Sequence, residues 1–242
     1  MSMIRQLLVQ AFGLMAMLVA ALPAVAGSFS ANPVRLTLPA GANSTSLVLE
    51  NRGDKPVVVQ ASTASWRQQD GRDVLAETED IIVSPPIFTI PVGGSQTVRV
   101  GLMRAADPMR EVTYRLFLQE VPPPPVDGEP GVAVALQLVL PLFVQPVAKA
   151  SSRLAWQARN GADGAIELSL ANEGTAHVQL VDARLAGPDG TLIAELSPRA
   201  YVLQGQSRSW LVRPLRPWTG EALRLTARTN GGDITAQVAP AR

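Results

Sequence analysis

The chain has no cysteine, which removes both a disulfide framework and any thiolate metal site. Charge is balanced as well: 21 basic and 20 acidic side chains leave a formal net charge of +1, so nothing marks a nucleic-acid partner. A single histidine, His177, is all that a Ser-His-Asp triad could draw on. It lies in Thr-Ala-His-Val-Gln-Leu, an alternating stretch with no nucleophile elbow, and reads as a polar position on a sheet face. Acidic residues are scattered, and Glu77, Glu79 and Asp80 read as a solvated loop rather than the His-and-carboxylate cluster a metal requires. Gly93-Gly94-Ser95 is not followed by a helix and is a poor phosphate loop. No enzyme, no cofactor and no metal site are expected.

Only one long apolar run is present, and it stands at the start. Arg5 supplies a positive n-region, 12–22 an apolar h-region, and Ala24-Val25-Ala26 a small-x-small cleavage pattern before Gly27. The apolar part is shorter than the roughly 20 residues of a spanning helix. Residues 1–26 are therefore expected to be a cleaved export signal, with no membrane insertion of the mature chain.

Twenty prolines, nineteen glycines and abundant Val, Leu and Thr favour strands and turns over long helices. Strands are expected over 29–38, 46–50, 57–66, 81–90 (crossed by Pro85-Pro86), 96–100, 112–121 and 131–146. Their spacing predicts an all-β sandwich of roughly 120 residues, immunoglobulin-like, with Trp66 as a core tryptophan on its third strand. Arg52-Gly53-Asp54 matches a cell-attachment tripeptide, but turn chemistry accounts for it. After residue 148 the pattern restarts. Short strands over 153–157, 165–171, 177–185, 191–196, 207–212, 222–229 and 234–238 predict a second sandwich of about 95 residues. No sequence repeat relates the two. The expected domains are 27–147 and 148–242.

The stretch 131–146 alternates with a two-residue period, Val132, Val134, Leu136, Leu138 and Leu140 against Ala133, Ala135, Gln137 and Val139. Neither face is polar, whereas a half-buried strand would have one polar face. It is either covered on both faces or keeps one side for a partner.

Several of these pieces are similar to the periplasmic pilus-assembly chaperones of the chaperone–usher family. The pieces are Ser84-Pro85-Pro86-Ile87, Ile90-Pro91-Val92-Gly93, Gln96-Thr97-Val98-Arg99-Val100, the sixth strand ending in Glu120-Val121-Pro122, 131–146 as the seventh strand, and Trp66. The resemblance implies two immunoglobulin-like domains in a boomerang, with pilus subunits as clients and an outer-membrane usher as recipient. It implies that the seventh strand is lent to an incomplete subunit, by donor-strand complementation, with Val132, Val134, Leu136 and a possible fourth, Leu138, filling the groove. Burying one Val or Leu is worth roughly 1.5–3 kcal/mol, so three give about 5–9 kcal/mol before ordering costs. It also leaves room for self-association that caps the donor strand.

Two departures stand out. Many members hold the subunit's C-terminal carboxylate with an Arg on the first strand and a Lys on the seventh. The first corresponds to Arg35, but the second is Pro141. Because the sixth and seventh strands are antiparallel neighbours, Arg115 is the expected substitute, with Arg99 as runner-up, and the loss of the lysine resembles the archaic branch that builds spore-coat-protein-U-like pili. The interdomain ion pair of many members is also missing one partner: Glu120 is present, but Gln145 replaces the Arg. The competing expectation is a secreted two-domain immunoglobulin-like binding or adhesion protein, in which the seventh strand is ordinary core.

Overall fold

The computed structural model describes residues 29–122 and 134–240. The expected signal segment and Val132 lie outside them. Ten strands build the first sandwich: β1 (Phe29–Asn32), β2 (Leu36–Leu38), β3 (Ser44–Asn51), β4 (Val57–Gln69), β5 (Arg72–Glu77), β6 (Ile81–Ser84), β7 (Ile87–Ile90), β8 (Ser95–Leu102), β9 (Val112–Val121) and β10 (Gln137–Val144). One sheet runs β1-β3-β8-β6 and the other β2-β10-β9-β4-β5, with β7 also on β4.

Proline decides where the chain changes sheet. The expected strand over 29–38 is in fact two: β1 pairs with β3 in one sheet, and β2 pairs with β10 in the other. Pro33 stands at the break, where its missing N–H is not needed by either ladder. Pro85-Pro86 does the same between β6, on β8, and β7, on β4, which is the crossing role expected of prolines in a strand-like run. Between the sheets, Leu36, Leu38, Leu47, Leu49, Val59, Ile90, Val98, Val100, Leu116, Leu118 and Leu142 are almost fully buried.

β5 was not expected, and all six of its residues are exposed. It returns from β4 through Asp70 and Gly71, both at positive φ (52° and 72°). Gln69 faces Arg72 across this two-residue turn. An Asp-Gly pair with positive φ at both positions is a type I′ hairpin turn, which matches strand twist.

The second sandwich comprises β11 (Leu154–Asn160), β12 (Ile166–Asn172), β13 (Val178–Ala186), β14 (Leu192–Leu196), β15 (Ala200–Val202), β16 (Gln206–Val212), β17 (Leu223–Thr229) and β18 (Gly232–Pro240). Its order is β14-β13-β17-β18-β11-β12-β16, with β15 on β13. A short parallel contact of β18 with β11 (Gln157 with Ala239, Ala158 with Pro240) joins its two halves.

The two domains share a corner that sequence comparison of their strands did not reveal. Asn51 ends β3, and its buried side-chain amide donates to the carbonyls of Lys55 (2.7 Å) and Ile90 (3.0 Å), while Oδ1 accepts from the Gly53 N–H (2.9 Å). Asn172 ends β12 and does the same with Ala176 (2.7 Å), Val202 (3.1 Å) and Gly174 (3.1 Å). The Arg-Gly-Asp tripeptide is part of the first corner. Replacing either Asn with Ala strands a buried carbonyl, so Asn51→Ala and Asn172→Ala should each lower unfolding stability by about 2–3 kcal/mol in urea titrations.

Asp80, expected in a solvated loop, instead accepts from the hydroxyl of buried Tyr114 (2.7 Å) and pairs with Arg104 (2.8 Å). Burial, helped by this bond to Asp80, pushes the Tyr114 pKa up to about 12, against the opposing pull of Arg104. The unfolded phenol loses its proton near 10, so the stabilisation is complete below pH 10 and is lost as pH rises toward 12. Unfolding titrations across that window should show a falling stability that is shallower in Tyr114→Phe.

Candidate functional site

The alternation along β10 assigns its side chains to two different places. Even positions point into the first sandwich: Leu140, Leu142 and Val144 are buried there, and Leu136 and Leu138 pack half-buried against its margin. By parity the same row includes Val134, which is 85% exposed; it and Leu136 precede β10, because the strand expected over 131–146 is observed only over Gln137–Val144. An apolar row thus starts in the core and runs out beyond it. On the opposite face Val139 is 41% exposed.

The strand also has an open edge. β9 pairs with β10 from Gln137 to Val144, but β2 covers only Leu142 to Val144 on the other side. The Glu120 N–H donates to the Leu136 carbonyl (2.8 Å), and the Gln145 N–H donates to the Leu38 carbonyl (2.9 Å). Even residues therefore bond β9, and odd residues present their backbone groups to the β2 side, as antiparallel alternation requires. Among the described residues, nothing pairs with the edge at Gln137 and Val139. Pro141 stands where β2 begins, a position at which a missing N–H costs no existing ladder bond.

Both expected anchor arginines flank Pro141. Arg115 is directly opposite it in the β9–β10 register. Arg35 immediately precedes Leu36, whose parallel partner is Leu142. Arg35 is exposed and lines an open interdomain cleft of about 430 Å³ with Asn32, Pro33, Val34, Gln179 and Tyr201. The Arg115 side chain is only 15% exposed; its guanidinium lies 3.5 Å from the Trp66 ring centroid and 5.8 Å from that of Tyr201. Burial pulls the Arg115 pKa below the ordinary guanidinium range, partly offset by Asp73. Burial raises the Tyr201 pKa, while Arg35 and Arg115 pull it back, so this phenol sits between the two cations. Arg99 is exposed on β8, between Ser46 and Ser84 in the other sheet, and is not brought to this place.

Trp66 is not a core residue of the first sandwich, contrary to the expectation. In β4 the odd residues Val57, Val59 and Ala61 face inward, so Trp66 faces out. It is buried by Phe143 and by Leu203 and Tyr201 of the second domain. Trp66 meets Tyr201 edge-on at 5.5 Å, and Phe143 stacks on His177 at 3.6 Å and 8°.

His177 is correspondingly a junction residue rather than a sheet-face polar. Its Nδ1 lies 2.7 Å from Glu111 Oε1, and its backbone N–H donates to the same oxygen (3.0 Å). Asn230 turns its oxygen to the Gln179 N–H (2.8 Å) and its amide nitrogen to His177 Nε2 (3.2 Å). Nε2 therefore accepts, and the ring proton sits on Nδ1 facing Glu111. Gln68, also buried, donates to the Tyr201 carbonyl (3.0 Å) and accepts from the Leu203 N–H (3.0 Å). These contacts hold the domains where Glu120 and Gln145 do not: the Glu120 carboxylate accepts the Leu136 N–H instead (3.0 Å). Sequence reading missed Gln68, Phe143 and Tyr201; the one legible signal was parity, which sets Trp66 and Phe143 opposite their domain's core.

The family described as pili and flagellar-assembly chaperone, PapD N-terminal domain, matches residues 28–150. The chain belongs to this family. Among solved structures, it is similar at 20% identity and TM-score 0.67 to the CsuC–CsuE chaperone–tip adhesion subunit complex from archaic Csu pili of Acinetobacter baumannii, with 89% of this chain and 100% of that chain covered. It is similar at 18% and 0.57 to the CupB2 chaperone of Pseudomonas aeruginosa (88% and 100% covered). The Salmonella enterica SafA pilin–SafB chaperone complex gives 16% and 0.60 (88% and 96% covered). No curated protein matches the chain.

The two-domain, all-β fold is thus that of the pilus chaperones. Because Phe143 is fully buried by residues of both domains, Phe143→Ala should cost about 3–5 kcal/mol. In calorimetry the variant should unfold in two separated transitions, against closer coupling in the wild type.

Proposed function

We propose that this protein is an exported periplasmic chaperone that captures pilus subunits by lending them β10 and delivers them to an outer-membrane usher. The observation that carries the reading is the unpaired apolar edge of β10, which ends between Arg35 and Arg115. An incomplete subunit exposes unpaired backbone groups and an apolar groove, both of which drive aggregation. A lent strand supplies ladder bonds from Gln137 and Val139, and the outward-running row from Leu138 through Leu136 to Val134 supplies side chains, together with Val132, which lies outside the described residues. The arginines hold the client's terminal carboxylate, for which the planar guanidinium is suited. Residues 1–26 act as the export signal, and 27–147 and 148–242 are the two domains. The match with an archaic-pilus complex and the Pro141 substitution favour the archaic branch.

A secreted binding or adhesion protein would leave Leu136 and Leu138 as a core margin, which their half-burial allows. It gives no role to the open edge or to Val134.

The test is periplasmic co-expression with a small secreted subunit from the gene neighbourhood, scored by recovery of a one-to-one complex. Val134→Glu changes an exposed side chain and should keep the fold while losing most of the complex, as should Leu136→Glu. Arg115→Glu should abolish recovery, and Lys55→Glu should not. Wild-type recovery in both strand variants would refute donation by β10.

A further inference from the structure

Arg115 is already paired in the free protein. Asp73 Oδ2 lies 3.4 Å from its Nη2, and among the described residues this is the guanidinium's only hydrogen-bond acceptor. The distance is long for a charge-assisted bond, which is usually 2.7–2.9 Å. The remaining N–H donors of a cation that is 15% exposed thus have no protein acceptor, although the face of the ion rests on Trp66.

Asp73 is not a loose surface carboxylate. It faces Gln68 in the β4–β5 register, and its Oδ1 accepts from Gln68 Nε2 at 2.9 Å. That same nitrogen donates to the Tyr201 carbonyl, and Gln68 Oε1 accepts from the Leu203 N–H. The second domain therefore fixes Gln68, and Gln68 fixes Asp73. At the tip of the hairpin, Gly71 lies against Arg208 of β16, where an added Cβ would sit 3.9 Å from its side chain.

We propose that Asp73 is a built-in placeholder for the client's terminal carboxylate: it occupies Arg115 in the empty chaperone and yields it when a polypeptide C-terminus arrives. This rests on the reading of Arg115 as an anchor. A cation that must be kept desolvated on Trp66 needs a counter-charge while it waits, and a tethered carboxylate at a long distance supplies one that is easily outcompeted. The cost falls on affinity, because each client must displace, or share the cation with, a resident anion. Capture is weakened, and release at delivery is eased by the same factor.

The experiment uses the full mature chain and a synthetic hexapeptide of alternating valine and threonine, prepared with a free C-terminal carboxylate and as the carboxamide. Binding is read from the Trp66 indole N–H in nitrogen-15 spectra, a signal that reports the ring beneath Arg115. Asp73→Asn keeps an oxygen for Gln68 and should bind the free acid roughly two- to fivefold more tightly than wild type, the size expected of a half-exposed ion pair. The carboxamide should bind both proteins alike. Arg115→Ala should remove the preference for the acid. If Arg115→Ala removes that preference but Asp73→Asn binds the acid no more tightly than wild type, the placeholder is overturned and the anchor stands. If the preference survives in Arg115→Ala, the anchor itself is overturned, and the placeholder with it. An acid that shifts Trp66 in neither wild type nor Asp73→Asn overturns both.

Discussion

Consecutive residues of β10 are buried by different bodies. Leu142 and Val144 are covered by the first sandwich, whereas Phe143 is covered by Trp66, His177 and Tyr201 at the junction with the second domain. The two-residue period of an extended chain makes this possible, and it explains why a strand with no polar face is stable here. At its C-terminal end both faces are occupied by the protein itself. At its N-terminal end the cover is lost one side chain at a time, until Val134 stands free. The junction is thus what makes the strand rigid enough to project an apolar edge, since the buried end is held by three neighbours: β9, β2 and the second domain.

Strand positions were largely legible because alternation survives wherever one face is buried. The expected strand over 112–121 coincides with β9, and all seven segments expected after residue 148 correspond to strands of the second sandwich. The neighbourhood of Arg115 and Pro141 was also legible, because antiparallel pairing of adjacent strands makes the start of one meet the end of the other. What was not legible depends on the second domain's position. Trp66 and His177 read as core and surface in their own strands, and only the docking of Leu203 and Tyr201 turns both into junction residues. β5 escaped for a different reason. None of its residues is buried, so hydrophobic period carried no signal, and only Asp70-Gly71 announced the hairpin.

The burial of Arg115 against Trp66 shows why a guanidinium suits this position better than an ammonium. A strongly hydrated point charge would resist the 15% exposure of Arg115, whereas a planar, weakly hydrated cation stacks on an indole face. Arg115 carries its charge on β9, and Pro141 on β10 is compatible with its surroundings because pairing with β2 begins only beyond it, at Leu142. Under the proposed reading, the missing seventh-strand lysine would have two consequences: the cation lies one strand over at Arg115, and Pro141, with no N–H, cannot extend pairing along the edge.

Under the proposed function, this arrangement would constrain the client's direction. A polypeptide whose terminal carboxylate lies between Arg35 and Arg115, and whose preceding residues run back along the open edge toward Val134, must travel parallel to β10. Parallel pairs are slightly weaker per residue than antiparallel ones, and the stretch from Val134 to Leu140 spans at most about 20 Å at 3.3 Å per residue. Backbone pairing alone would therefore give modest capture, with Gln137 and Val139 as the ladder residues whose N–H and C=O groups face outward. The apolar row and the proposed carboxylate contact would have to supply the rest. Being at opposite ends of the same edge, they would define both the register and the polarity of the proposed client. A strand that satisfied only one of them would gain little, which would let so short an edge be selective.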